Sequence, residues 1–310
     1  MSMEKRPVIL DCDPGIDDAV AILLAARAPE LDLRAVTTVA GNVGVSYTSR
    51  NARQVLTLAE VEVPVCAGAA GPFWGSAITA DEVHGSDGLL GLPAPEPAFP
   101  LSEELAWDAL YREALAWNGV LEVVATGPLT NLGVALAKYP DLPRYIRRIV
   151  LMGGATDFGN TTPAAEFNIY ADPESAEMVF RSGIPVVMCG LDVTHKAYFT
   201  HADIGRLEAL GTPQASFAAA TMQFGVAWHE KFLVPGAPMH DPCAMLYVLE
   251  PGLFTTLHCW VGVERHGTIT RGRTVTDAYS DAKREANTEL VTDVDRERFI
   301  DALISRLAVY

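Results

Sequence analysis

Four carboxylates fall within eight residues near the start of the chain, at Asp11, Asp13, Asp17 and Asp18, in the stretch Val8-Ile9-Leu10-Asp11-Cys12-Asp13-Pro14-Gly15-Ile16-Asp17-Asp18. Like charges this close repel and raise one another's pKa, so they need compensation, most simply from a divalent cation. All the donors are oxygens, and no Cys/His pair stands at zinc spacing, so a hard cation is favoured, calcium or magnesium. The ordinary alternative makes Asp17 and Asp18 first-turn acids that complement a helix dipole, with Asp11 a solvated strand end.

The elements around these acids follow from local pattern. An apolar run precedes Asp11, Pro14-Gly15 is turn chemistry, and Ala19 to Ala26 reads as a helix, which gives strand, tight turn, helix. Asp11 and Asp13 then share one side at the strand's carboxyl end. Leu31 to Val39 reads as a second strand running into Gly41-Asn42, Ser46 to Ala59 as a helix and Val61 to Cys66 as a third strand. This alternation predicts an α/β chain with a mostly parallel central sheet and helices on both faces. Ligands of such sheets bind beyond the carboxyl ends of the strands, where the acids and Asn42 fall.

Ala67 to Pro100 is a long Gly-, Pro- and Ala-rich stretch holding His84-Gly85-Ser86-Asp87-Gly88, where His84 is either functional or a solvated loop residue. A helix over Leu101 to Trp117 and a strand over Leu121 to Ala125 lead to Thr126-Gly127-Pro128, whose exposed carbonyl could complete a cation site. Beyond the strand Arg148 to Met152, a polar loop offers Asn160, Glu166 and Asn168, groups suited to sugar hydroxyls. Pro185 to Cys189 is a further strand, and helices follow over Ala202 to Leu210 and from Pro213 to about Lys231. Phe224, Trp228 and Phe232 make one stripe on the second of these, either core or a ligand platform. His240-Asp241 opens a helix over Ala244 to Leu249, with Asp241 as a plain N-cap in the ordinary reading. Leu257 to Glu264 and Thr274 to Ala278 read as a β segment at the sheet margin, and Asp293 to Val309 as a closing helix.

Composition narrows the partners. With 23 Lys+Arg against 39 Asp+Glu, the formal charge of −16 argues against a nucleic-acid backbone or an anionic membrane as the main partner and favours a neutral ligand or a cation. Five scattered cysteines suit reduced thiols. No apolar run reaches signal-peptide or membrane-span length. The expectation is a soluble, cytoplasmic protein, and no linker or repeat divides residues 1–310, so a single domain is expected.

Dispersed over nearly the whole chain, the blocks DCDPGIDDA (11–19), GN (41–42), HGSDG (84–88), TGPLTN (126–131), MGGA (152–155), AEFNIYADPE (165–174) and GAPMHDPC (236–243) resemble the nucleoside hydrolases, which cleave the N-glycosidic bond of ribonucleosides with a bound calcium ion. The resemblance implies their Rossmann-like single-domain fold and a homotetramer or homodimer. It makes Asp13, Asp18, Asp241 and the main-chain carbonyl of Thr126 the Ca2+ ligands. Asp17, Asn42, Asn160, Glu166 and Asn168 would hold the ribose hydroxyls, His84 and Trp228 would join the substrate site, and Asp11 would orient its neighbours. Asp13 would accept a proton from the attacking water. His240 would be the general acid for the departing base, its ordinary pKa of about 6.5 suiting donation near neutrality. The presence of His240 favours an inosine-uridine or pyrimidine preference over strict purine specificity. The chain departs from the family in lacking a second glycine directly behind Gly85 and a tyrosine on the 213–232 helix.

Two rival readings are a haloacid-dehalogenase-like phosphatase, with Asp11 of the Asp-Cys-Asp loop attacking phosphorus, and a nucleoside-binding module without turnover. The first lacks the expected Thr or Val at the position of Gly15. Retention of both Asp13 and His240 argues against the second.

Overall fold

A computed structural model of the chain describes residues 5–230, 236–278 and 284–310. Six strands and the helices between them follow the expected alternation: β1 (Arg6–Cys12), α1 (Ile16–Ala26), β2 (Leu31–Thr38), α2 (Val45–Leu58), β3 (Val65–Ala67), the short α3 (Asp81–His84), α4 (Ala106–Trp117), β4 (Leu121–Ala125), α5 (Thr130–Lys138), β5 (Ile146–Met152), α6 (Phe167–Ala171), α7 (Pro173–Phe180) and β6 (Val186–Cys189). After them come α8 (Leu191–Thr194), β7 (Tyr198–Phe199), α9 (His201–Glu208), α10 (Pro213–His229), β8 (Ala237–Pro238), α11 (His240–Leu249), β9 (Phe254–Val263), β10 (Thr274–Asp277), β11 (Thr288–Val294) and α12 (Arg296–Leu307).

Nine strands form one sheet in the order β10-β9-β11-β6-β5-β4-β1-β2-β3. From β11 to β3 all neighbours are parallel, and β9 and β10 add an antiparallel margin. The central strands are apolar throughout because both faces are covered. Along β1, Val8, Leu10 and Cys12 join the core beneath α1, α2, α11 and α12, while Ile9 joins the core beneath α4, α5 and α7. Period-2 alternation thus sorts one strand's side chains between two helical layers.

The order β3-β2-β1-β4-β5-β6 reverses direction between β1 and β4, the crevice where doubly wound sheets place their ligands. Asp13 follows β1 and Thr126 follows β4, so both stand at that crevice, tied by the Thr126 N–H donating to the Asp11 carbonyl (2.8 Å). A small antiparallel pair, β7 with β8, lies apart from the main sheet and brings the segment after α8 beside the segment before α11.

The fold corrects several expectations: the helix expected from Leu101 starts at Ala106, and the strand expected from Val61 starts at Val65. Thr288–Val294 forms β11, pairing with both β6 and β9, so the closing helix starts at Arg296 with Asp295 as its cap. The helix α11 begins at His240 itself, behind Met239, so Asp241 lies inside the first turn and is not an N-cap. Of the aromatic stripe, Trp228 and Phe224 lie on α10, while Lys231 and Phe232 fall outside the described residues. All five cysteines are free and buried, as expected of reduced thiols. Among the described residues no helix is long and apolar enough to cross a membrane.

Candidate active site

The strand–turn–helix unit at the start of the chain places its acids in a network. Asp13, leaving β1, accepts the Asn42 N–H on Oδ2 (2.7 Å). It fits there because residue 41 is glycine: a Cβ at that position would lie 2.0 Å from the same oxygen. Asn42 Nδ2 donates to the Asp13 carbonyl and to Asp18 Oδ2 (both 3.1 Å), so both amide protons are engaged and Oδ1 stays available as an acceptor. Asp18 also accepts from the Gly15 N–H (3.1 Å) and from the Thr126 hydroxyl (2.8 Å), which links the first turn of α1 to the end of β4.

One oxygen each from Asp17, Asp18 and Asp241 lie within 4.8 Å of one another. The structure thus puts Asp17 in this trio, with the expected ligand Asp13 beside it, held by Asn42. Burial, then mutual repulsion, pushes the Asp13 and Asp241 carboxyls well above the usual carboxylate range, and Asp18 up to about 6. No basic side chain figures among the groups that perturb them. An all-oxygen set of crowded, uncompensated acids is the donor chemistry of a hard cation, and so many protein oxygens suit calcium's high coordination number. The Thr126 carbonyl, the fourth expected ligand, already accepts from Asn168 Nδ2 (2.7 Å) and keeps one lone pair.

A cavity of about 710 Å³ opens over this cluster and brings together Asp17, Asn42, His84, Thr126, Asn160, Glu166, Asn168, Trp228, His240 and Asp241. On the sugar-facing side the three expected residues offer different atoms. Asn168 uses Nδ2 on the carbonyls of Thr126 and Met152 and keeps Oδ1 as an acceptor. Asn160, exposed, accepts the Phe167 N–H on Oδ1 (2.9 Å) and keeps its NH2 as a donor. Glu166 caps α6: its carboxylate accepts from the N–H groups of Asn168 (2.9 Å), Gly154 (2.8 Å) and Ile169 (3.1 Å). Burial outweighs those bonds and raises its pKa to about 7.

His84 is tied to the first turn of α1, its Nδ1 accepting the Ile16 N–H (3.1 Å), which leaves Nε2–H as its donor. His240 Nδ1 lies 2.9 Å from the Thr194 hydroxyl. That hydroxyl has no other acceptor among the described residues, so it donates to Nδ1 and leaves the proton of a neutral ring on Nε2. Burial, with neighbouring histidines adding to it and Asp17 opposing, lowers the His240 pKa to about 3. An ordinary value near 6.5 is therefore not what the folded site provides, and the ring is neutral near pH 7.

Asp11 is wholly buried, with Oδ1 accepting from Thr37 (2.6 Å) and Asn131 (2.8 Å). A carboxylate fixed inside the sheet cannot attack phosphorus, which removes the phosphatase reading. Sequence reasoning missed His195, Phe158, Thr221, Met222 and His229, which also line the cavity. Their signal was weak because α8, α10 and the 153–166 loop meet only through the fold. Phe158 meets His195 edge-on at 5.2 Å, and the expected Trp228 stacks with Phe224 at 6.4 Å.

Similarity runs in the same direction. Residues 8–301 match the family model described as inosine-uridine preferring nucleoside hydrolase. A pyrimidine-specific ribonucleoside hydrolase of Klebsiella pneumoniae is 48% identical over 307 residues, covering 98% of this chain and 99% of that protein. One of the same description from Photobacterium profundum is 46% identical over 309 residues, covering 99% and 100%. Among solved structures, a plant nucleoside hydrolase superposes with a TM-score of 0.93 at 33% identity, covering 99% of this chain and 100% of that one. A purine-preferring ribonucleoside hydrolase from Gardnerella vaginalis gives 0.92 at 33%, covering 98% of each. With its acids, amides and histidine gathered over one crevice and its sequence matched nearly end to end, this chain belongs to the nucleoside hydrolase family and is a hydrolase acting on N-glycosyl bonds.

Proposed function

We propose that the protein hydrolyses pyrimidine ribonucleosides, uridine and cytidine above purine nucleosides, to free base and ribose with the help of calcium. The observation that carries this reading is Asp17 and Asp241 of the acid cluster meeting the His240 imidazole in one cavity, with amides along its wall. The 48% identity to a pyrimidine-specific relative supports the base preference. Asp13, Asp18, Asp241 and the Thr126 carbonyl would hold calcium, with Asp17 close enough to share the site. A calcium ion held there would offset the charge of the cluster and supply Lewis-acid activation of a water.

The chain's own groups do the rest. Asn42 Oδ1 and Asn168 Oδ1 accept from ribose hydroxyls, Asn160 donates to one, and Glu166 holds the turn between Gly154 and Ile169 that shapes this wall. Asp13, held by Asn42, takes the proton of the attacking water. As the glycosidic bond lengthens, positive charge on the ribose is stabilised by the surrounding carboxylates. His240, a neutral ring, donates a hydrogen bond from Nε2–H to the departing base and keeps that proton, its tautomer set by Thr194.

The test is a panel of uridine, cytidine, inosine, adenosine and guanosine, each followed for free base and ribose. Faster release from the two pyrimidine nucleosides is expected. Faster release from purines overturns the base preference, and binding without release would make the protein a non-catalytic module. The proposal includes a cytoplasmic location and a homodimer or homotetramer, the latter checked by light scattering.

A further inference from the structure

Four of the chain's seven histidines line the cavity, and three of them are tied to the protein through Nδ1: His84 to the Ile16 N–H (3.1 Å), His229 to the Gly225 carbonyl (2.9 Å) and His240 to Thr194 (2.9 Å). His195 differs. Its ring touches Phe158 edge-on and lies 5.7 Å from the His240 ring, yet neither ring nitrogen has a hydrogen-bond partner among the described residues. The contact with Phe158 needs only an aromatic edge, so nothing in the protein calls for an imidazole. A half-buried donor and acceptor in a wall shared with Phe158, Met222 and Trp228 is the kind of polar group that orients a ligand in a mostly apolar pocket.

Its place in the fold fixes which part of a substrate it meets. His195 follows α8 beyond the carboxyl end of β6. The pairing of Phe199 with Ala237, and the Met239 N–H donating to the Ala197 carbonyl (2.8 Å), hold this segment against the one that delivers His240. His240 directly precedes Asp241 of the acid trio, and its ring lies 5.7 Å from that of His195, so His240 links the sugar-binding acids to His195. With the ribose on the acids and the scissile bond beside His240, His195 falls at the base. Asp192, three residues before His195, accepts the Thr156 N–H (2.9 Å) and so ties the Phe158 loop to this segment.

Resting on the pyrimidine ribonucleoside reading above, we propose that His195 reads the exocyclic group at position 4 of the base. With its proton on the nitrogen facing the base, the ring donates to O4 of uracil. With the proton on the other nitrogen, the same atom accepts from the N4 amino group of cytosine. A tautomer exchange in a neutral imidazole thus admits both pyrimidines, and burial favours the neutral ring. A purine carries its exocyclic group on the ring remote from the glycosidic bond, where it meets a different part of the wall.

The experiment compares His195→Phe and His195→Gln with the unaltered protein on uridine, cytidine, the riboside of pyrimidin-2-one, which lacks a 4-substituent, and p-nitrophenyl riboside. His195→Phe keeps the ring edge for Phe158 and should lower kcat/KM for uridine and cytidine by roughly 10–100-fold, as expected when a buried hydrogen-bonding pair loses one member. The other two substrates should stay within about threefold, which also shows that the variant is folded. His195→Gln, whose amide supplies donor and acceptor, should retain uridine and cytidine turnover within about fivefold. Equal losses on all four substrates, no loss on any, or a Gln variant as impaired as Phe overturns the assignment. If the unaltered protein releases no base from any nucleoside, the hydrolase reading itself fails, a result distinct from an unaffected His195→Phe.

Discussion

The Glu166 carboxylate sets burial against hydrogen bonding, and Glu166→Gln measures which wins. Three N–H groups favour its anion, while complete burial raises its pKa from 4.5 to about 7. Because the folded carboxyl binds its proton more tightly than the unfolded one, the stabilisation is fully present below pH 4.5 and is lost as the pH rises through about 7. At 1.36 kcal/mol per unit, a rise from 4.5 to about 7 corresponds to roughly 3 kcal/mol. Glutamine has no proton to bind in this range. Its amide oxygen can keep the bonds from Gly154 and Ile169, but its NH2 then faces the Asn168 N–H, donor against donor, at a cost of about 1–3 kcal/mol. Urea unfolding of both proteins at pH 5, 6, 7 and 8 in a chelator isolates this difference, since the acid cluster contributes equally to each. The variant should be clearly weaker at pH 5, and the gap should close or reverse by pH 8, moving by about 2.5 kcal/mol over this range. A gap that stays flat over this range would refute the reasoning and show that the three N–H groups keep the carboxylate ionised.

Three further outcomes follow from contacts already described. In Gly15→Ala the new Cβ would stand 2.3 Å from His84 Nδ1 and 2.7 Å from Asn42 Nδ2, so a destabilisation of about 1–3 kcal/mol by denaturant titration is expected, with a loss of kcat/KM on uridine as Asn42 is pushed off Asp18. Asp18→Asn should lose both stoichiometric calcium, measured by elemental analysis, and turnover, because an amide cannot replace the charge that draws the metal; full calcium and activity in the variant would sink the ligand assignment. His240→Ala should lower kcat on inosine by roughly 10²–10⁴-fold but leave p-nitrophenyl riboside, whose leaving group departs without a proton, within about tenfold; equal losses on both would show that the imidazole serves binding or the placement of Asp241.

What could be read from the sequence divides by the range of the interactions involved. The unit from Val8 to Ala26 is local: turn residues, alternation and helical spacing place Asp13 at a strand end and Asp18 in a first turn without reference to the rest of the chain. The parallel sheet followed from the repeated alternation of such units, and with it the crevice at the carboxyl ends where Asn42 and Thr126 were expected. The strand β11 was missed because Thr288–Val294 runs directly into the cap of α12, and its pairing with β6 and β9 is long-range.

The site shows the same division more sharply. The resemblance to the family, more than any single residue type, named the side chains that line the cavity, but not which atoms of each remain free. Asn42 and Asn168 have both amide protons committed to the protein, Asn160 has its oxygen committed, and Glu166 serves as a helix cap, so four residues expected alike to bind hydroxyls present different functional faces. The same holds for charge. Only in the fold does burial, opposed by Asp17 and helped by three other histidines, lower the His240 pKa to about 3. A neutral ring cannot serve as a reservoir of positive charge. It can still act as an oriented donor, provided a partner fixes its tautomer, and the Thr194 hydroxyl at 2.9 Å from Nδ1 meets that requirement. Thr194 and His195 are neighbours at the end of α8, so in the mechanism proposed above one short segment would orient the donor to the departing base and present the unpartnered ring beside it. Position in the fold, more than residue type, therefore decides how the leaving-group end of this site works.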